Sequence, residues 1–284
     1  MSSVTSPVVV RELPPNLAFL APVKSNGLVR VGNAHDGGCV VPEEAVRGAD
    51  TLLSFGVSTD WSFEQACKAM NPGLTIHAYD HTVGERHFRG ALARGLVKLL
   101  LGRASMPNVR KRWRIWCSYR AFFPVSAAHF EEAIHARNKS AGHATIEKVF
   151  SRTQSQRVFL KVDIEGTEYS VLDDILRYAP RIIALVIEFH ETQALRETFC
   201  AVVKRLQREF HIVHVHGNNL NHAAPDGLPN VLEITLVRGA ASADAERRWS
   251  LPIDGLDSPN HAGSADHQIR WDLYESRRRE SVDA

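Results

Sequence analysis

The chain has 284 residues, is 44% hydrophobic and carries a formal net charge of +2. That is enough to bury one sizeable core and too mild a charge to imply a nucleic-acid partner. Four widely spaced cysteines with no CxxC pair signal neither a zinc site nor a disulfide framework. The start "MSSVTSPVVVRELPP" lacks a basic, then apolar leader, and the central apolar stretch "GLVKLLLG" is too short to span a bilayer. A cytoplasmic protein is expected.

Taken in chain order, "LVRVG" and "CVVP" flank "HDGG" (His35 to Gly38), which reads as a tight hairpin turn. "TLLSFG" (Thr51 to Gly56) is a short apolar strand ending in glycine. "TDWSFEQACKAM" reads as a helix with Ser62 and Gln65 placed as a capping box. "TIHAYD" (Thr75 to Asp80) is the next strand. From Glu85 to Arg120, ten Lys and Arg stand against one acid, a local net of +9 that leaves −7 for the rest of the chain. Inside this basic insertion, "FRGALARGLVKLLLGR" reads as an amphipathic helix suited to an anionic membrane surface, or as a solvated helix packing its leucines on the core. "RIWCSYRAFF" reads as a third strand.

"VFLKVD" is the fourth strand and "IIALVIEFH" (Ile182 to His190) the fifth. Leu195, Phe199, Val202, Leu206 and Phe210 follow at helical spacing. "FHIVHVHG" and "NVLEITLV" close the series, joined by "NNLNHAAPDGLP" and placed to pair antiparallel. The first dozen residues and the tail "ESRRRESVDA" read as loosely ordered. Alternating strands and helices predict an α/β fold with a largely parallel sheet.

In such sheets, ligands bind outside the carboxyl ends of the strands. The first of these ends, "SFGVSTD", is a glycine turn leading into a helix, open to close approach by a cofactor. Asp80, ending the next strand about 20 residues on, is placed to accept ribose hydroxyls, or equally to cap the next helix. Phe55, Gly56, Ser58, Asp60 and Asp80 are therefore the expected cofactor contacts. "LKVDIEG" sets Lys161, Asp163 and Glu165 at alternate positions, a charged row tolerable where a strand end lines a wet cleft. Glu188 and His190 end the fifth strand, and His214, His216 and Asn218 the sixth. Each set points to one side of its strand. Three neighbouring ends would gather them in one crevice, although any lone strand histidine is more often a packing residue.

"SFGVSTDWSFE", "IHAYD", "LKVDIEGTEYSVL", "VIEFHE" and "HVHGNN", with "DGGCVVP" upstream and "LDSPNH" (Leu256 to His261) downstream, resemble in order the FkbM-type family of S-adenosylmethionine-dependent methyltransferases. The resemblance spans residues 30 to 262. It divides the chain into an N-terminal extension (1–29), a methyltransferase-like domain carrying the basic insertion at about 86–120, and a C-terminal tail (263–284). It implies a class I methyltransferase fold: a Rossmann-like, mostly parallel seven-stranded sheet with helices on both faces and an antiparallel last strand. It also implies S-adenosyl-L-methionine in the Gly56/Asp80 cleft and methylation of a hydroxyl on a carbohydrate, glycan or similar natural product.

Asp163, Glu188, His190 and His216 are then expected around the acceptor oxygen. His190 or His216 would take its proton, or Mg²⁺ held by the hard oxygens of Asp163 and Glu188 would lower its pKa; no resident metal ligands are assigned. The basic insertion fits an acidic or lipid-linked acceptor and peripheral contact with the inner membrane. Ser58 stands where the family has glycine and favours an alternative, a fold that binds a glycan or partner protein without catalysis. The acid/His crevice also suits a metal-dependent hydrolase.

Overall fold

The computed structural model describes residues 9–137, 140, 142–220, 223–242 and 244–271. Residues 1–8 and the tail "ESRRRESVDA" lie outside them. In chain order the elements are β1 (Val9–Leu13), β2 (Leu28–Val31), β3 (Cys39–Pro42), α1 (Glu43–Gly48), β4 (Thr51–Phe55), α2 (Ser62–Met70) and β5 (Thr75–Tyr79). Next come α3 (Glu85–Leu100), α4 (Met106–Phe122), β6 (Ala128–Phe130), β7 (Ala133–Ile134), β8 (His143–Ala144) and α5 (Ile146–Ser151). The remainder are β9 (Val158–Val162), α6 (Glu168–Leu176), β10 (Ile182–Phe189), α7 (Arg196–Leu206), β11 (Phe210–Gly217), β12 (Leu232–Arg238), β13 (Ser250–Leu251) and β14 (His267–Trp271).

The main sheet has seven strands in the order β11-β12-β10-β9-β4-β5-β6. Every neighbouring pair is parallel except the two made by β12, which runs antiparallel to both β10 and β11. This is the class I methyltransferase arrangement that the resemblance implies. β4 and β9 are buried along their whole length. Alternate side chains feed two apolar cores, one on each face of the sheet. Phe55, Leu160, Val162, Leu185 and Ile187 face α5, α6 and α7. Leu52, Phe159, Ala184 and Val186 face α1, α2 and the β2–β3 hairpin. Each large apolar side chain removed from water contributes about 1.5–3 kcal/mol, so the central strands anchor both layers.

Several expectations are corrected. "RIWCSYRAFF" lies in α4, where Val109, Tyr119 and Phe122 are buried on one helical face, and the strand beside β5 is β6. Its β-branched and aromatic content suits a strand, but tertiary packing overrides propensity. Ser62 is the first helical residue and not a cap. Asp60 Oδ1 accepts the Ser62 N–H at 2.9 Å, while Ser62 Oγ accepts the Asn33 N–H. α7 ends at Leu206, and Phe210 opens β11, so the apolar spacing ran on across a turn. "HDGG" falls within a wider connection, residues 32–38, between β2 and β3. The segments outside 30–262 join the fold in their described parts. β1 pairs with β14, and Leu13, Leu17, Leu20, Ile269 and Trp271 lie in the first core.

Candidate functional site

The order of connection reverses at β4, which pairs with β5 on one side and β9 on the other. A cavity of about 350 Å³ opens beyond the carboxyl ends of these strands, at the switch point where such folds bind ligands and within the size range of small-molecule pockets. Gly56, Ser58, Asp60, Asp80 and Asp163 line it; Phe55 does not. The Phe55 ring is fully buried, edge-on to Tyr79 in the core. Gly56 has φ +79°, and a Cβ there would come within 1.6 Å of the Asp163 carbonyl oxygen. No other residue fits, because the turn is clamped against the end of β9. Ser58 also has positive φ, +49°, a conformation glycine adopts more readily.

Asp80 closes the turn. Its Oδ2 accepts the Val57 and Ser58 N–H groups at 3.1 and 2.7 Å, and its Oδ1 accepts the Thr82 N–H and hydroxyl at 2.7 and 2.6 Å. Burial raises its pKa, but these bonds outweigh burial and hold it below the usual carboxylate value. A carboxylate has about four acceptor positions, and all four are used. A ribose hydroxyl would therefore replace the Thr82 hydroxyl, whose bond turns on a side-chain rotation and leaves the backbone alone. The cavity fits S-adenosylmethionine on those terms: it has adequate volume, a tight glycine turn and an ionised acid.

The second cluster sits beside the cavity. Strand register sets His216, Glu233 and Glu188 in one cross-strand row, and Asp163 follows the Val162–Ile187 pair that leads into it. The three neighbouring strand ends expected from the sequence are thus interrupted: β12 lies between β10 and β11 and brings its own acid, Glu233. His190 Nδ1 lies 2.7 Å from Glu168 Oε1, which also accepts the His190 backbone N–H at 2.8 Å. His190 Nε2 lies 3.4 Å from Glu165 and 3.6 Å from Glu188. Glu165 is held at φ +53°, a strained conformation of the kind that collects at functional sites.

The charges interlock. Burial pushes the Asp163 carboxyl up to about 6 against the pull of Lys161 and His190. Burial, and then the Asp163 charge, push Glu188 up to about 8. Burial disfavours the His190 imidazolium, but the hydrogen-bonded Glu168 and the charges of Glu188 and Asp163 outweigh it, raising His190 to about 9. At neutral pH His190 is therefore a cation, and Asp163 is the group poised to take a proton. Glu188 and His190 both titrate higher folded than their ordinary 4.5 and 6.5. Each stabilises the fold fully below its unfolded pKa and loses that contribution as pH climbs through its folded value. The melting temperature is therefore expected to fall from pH 6 to pH 9.5, less steeply in Glu188→Gln; identical slopes would contradict the assignment.

Asp163, Glu188 and His190 come together as expected, and Asn218 Nδ2 donates to Glu188 Oε1 at 3.3 Å. His216 does not join them. Its Nε2 is taken by Asp266 at 3.1 Å, and it lines neither the cavity nor the Glu188 side of the cluster. His214 is paired with Asp257, whose side chain is fully covered. Lys161 lines the cavity, but only at its inner wall: it is 7% exposed and lies 3.8 Å from fully buried Glu64, which also accepts the Ser54 hydroxyl at 2.5 Å. Glu64, Glu168 and Glu233 carry no site signal in the sequence. Two sit in first helical turns, where acids are routine, and Glu233 lies inside an apolar strand. "HDGG" and "LDSPNH" meet over this region: Asp36 N–H donates to the Asn260 carbonyl and His35 Nδ1 lies 2.8 Å from the Pro259 carbonyl.

Among solved structures, a fibrillarin/Nop5p complex is similar at 11% identity, covering 68% of this chain and 74% of that one, with TM-score 0.37. The Methanococcus jannaschii fibrillarin pre-rRNA processing protein is similar at 9% identity over 69% and 70%, TM-score 0.36. The precorrin-6y C5,15-methyltransferase of Geobacter metallireducens GS-15 is similar at 12% identity over 69% and 86%, TM-score 0.33. Likenesses this distant say nothing of reaction or substrate. No curated protein matches the chain. The family model of the methyltransferase FkbM domain matches residues 125–213, the span that carries Asp163, Glu165, Glu168, Glu188 and His190.

Proposed function

We propose that the protein is an S-adenosylmethionine-dependent O-methyltransferase acting on a hydroxyl of a carbohydrate or similar acceptor. The observation that carries this reading is the place of Asp163. Its backbone packs against the Gly56 turn of the cavity, and its carboxyl belongs to the cluster of Glu188 and His190. The FkbM match supports the same reaction. S-adenosylmethionine, when bound, supplies an activated methyl group. The chain must hold the acceptor in line with it and take a proton.

A sugar hydroxyl is a poor nucleophile until it is partly deprotonated, and Asp163, ionised above about pH 6, accepts that proton as the oxygen gains the methyl group. The His190 imidazolium balances the neighbouring carboxylates and keeps Asp163 ionised. In this reading His190 is a cationic partner and not the base. The rate is expected to rise with pH through about 6; a rate that rises only near 9 would return the base role to His190.

One observation favours a metal-assisted version. Asp163, Glu165 and His190 each offer a ligand atom, all within 4.8 Å of one another. Glu168 on Nδ1 orients His190 as a carboxylate orients a metal-bound histidine. The deciding experiment incubates the protein with S-adenosylmethionine and a panel of glycans and assays S-adenosylhomocysteine, with and without EDTA. Product formed in EDTA supports the Asp163 base. Loss in EDTA and recovery with Mg²⁺ or Mn²⁺ supports the metal. Metal-dependent hydrolysis that ignores S-adenosylmethionine would overturn both.

A further inference from the structure

α3 and α4 form a hairpin rooted beside the cavity. α3 starts at Glu85, three residues after the cavity-lining Thr82. The root is an aromatic cluster in which Trp61 lies edge-on to Phe88, Tyr119 and Phe123, at 5.6–5.9 Å between ring centres. Between the helices, Gly95 lets the Arg112 side chain close in: a Cβ there would sit 3.0 Å from its Cδ.

Beyond the root the hairpin turns apolar side chains to solvent. Leu100 is 87% exposed and Leu101 61%; Leu96, Val97, Met106 and Trp113 are each about half exposed. Six of the eight exposed large apolar side chains among the described residues fall here, so this is a patch and not scatter. Arg94, Lys98, Arg103, Arg110, Lys111 and Arg114 are interleaved with it, all exposed, and no acid occurs from 86 to 130. Arg110, Lys111 and Arg114 also line a concavity of about 450 Å³.

From this pairing of an apolar tip with surrounding cations we infer that the α3–α4 hairpin docks the protein on an anionic lipid bilayer. A bilayer meets both demands at once, phosphates at headgroup depth and hydrocarbon about 5–10 Å below, with Trp113 suited to the boundary between them. A second copy would cover the leucines only by setting +9 against +9. RNA would answer the charge and leave the apolar tip in water. No helix among the described residues is long and apolar enough to cross a membrane, so the contact is peripheral. The inference stands apart from the methyl-transfer reading.

Sedimentation of the full chain with vesicles tests it, using phosphatidylcholine alone or with phosphatidylglycerol added, at low and high salt. The expected result is binding at least tenfold stronger to phosphatidylglycerol vesicles, falling as salt screens it. Arg110→Glu/Lys111→Glu/Arg114→Glu is expected to weaken binding by about fivefold or more for each cation removed, and Leu100→Glu/Leu101→Glu by roughly tenfold or more. Both variants change exposed side chains, so their helical circular dichroism is expected to match the parent; the measurement separates lost docking from lost fold. A chain that stays in the supernatant with phosphatidylglycerol at low salt overturns the inference. So does binding unchanged by Leu100→Glu/Leu101→Glu, a dimer that those changes dissolve, or tighter binding to RNA than to vesicles.

Discussion

Asp163→Asn is expected to lower turnover roughly 10²–10⁴-fold, the usual worth of a positioned general base, while S-adenosylhomocysteine still binds. The amide keeps the shape of the side chain and the backbone contact that holds the Gly56 turn, so donor binding and proton removal separate. It also removes one of the carboxylates that hold His190 protonated, so the His190 pKa is expected to move down, visible in its ring-proton shifts against pH. Parallel loss of turnover and cofactor affinity would mean that Asp163 builds the cavity and takes no proton. Full activity would remove it from the chemistry altogether.

Lys161→Met is expected to cost about 3–5 kcal/mol, because it strands Glu64 as a buried charge without its partner. Glu64 is wholly buried, and its Oε2 has no hydrogen bond among the described residues. For a chain of this size the loss corresponds to a melting temperature about 10 °C lower. The double variant Glu64→Gln/Lys161→Met is expected to recover most of it, since neither side chain then carries charge. Equal melting temperatures for Lys161→Met and the parent would contradict the ionic pair. Lys161 also lowers the pKa of Asp163, so the single variant is expected to shift the pH–rate profile upward.

What the sequence made legible was local. The glycine turn at Gly56, Asp80 ending its strand, and Asp163, Glu188 and His190 at strand ends all follow from alternation and from the rule that ligands sit beyond those ends. Spatial order was not legible. Nothing in "NVLEITLV" says that this strand slips between β10 and β11, and searching only carboxyl ends passes over Glu233, which stands at the amino end of an antiparallel strand. Partnership was hidden too. Lys161 reads as a cleft residue, which it is, but its partner Glu64, about a hundred residues earlier in the chain, is visible only in the fold. His216 reads as a second base until Asp266 occupies its ring. Spacing alone points to Asp80, but only the fold shows that all its acceptor positions serve its own turns.

The central claim is that the Gly56/Asp80 cavity binds the methyl donor, and titration calorimetry with S-adenosylhomocysteine, on the parent and on Asp80→Ala, tests it most directly. The predicted result is saturable binding to the parent, weakened about 5- to 150-fold in the variant, the worth of a buried hydrogen-bonded charge at 1–3 kcal/mol. Absence of binding to the parent, or equal affinity in both proteins, would contradict it.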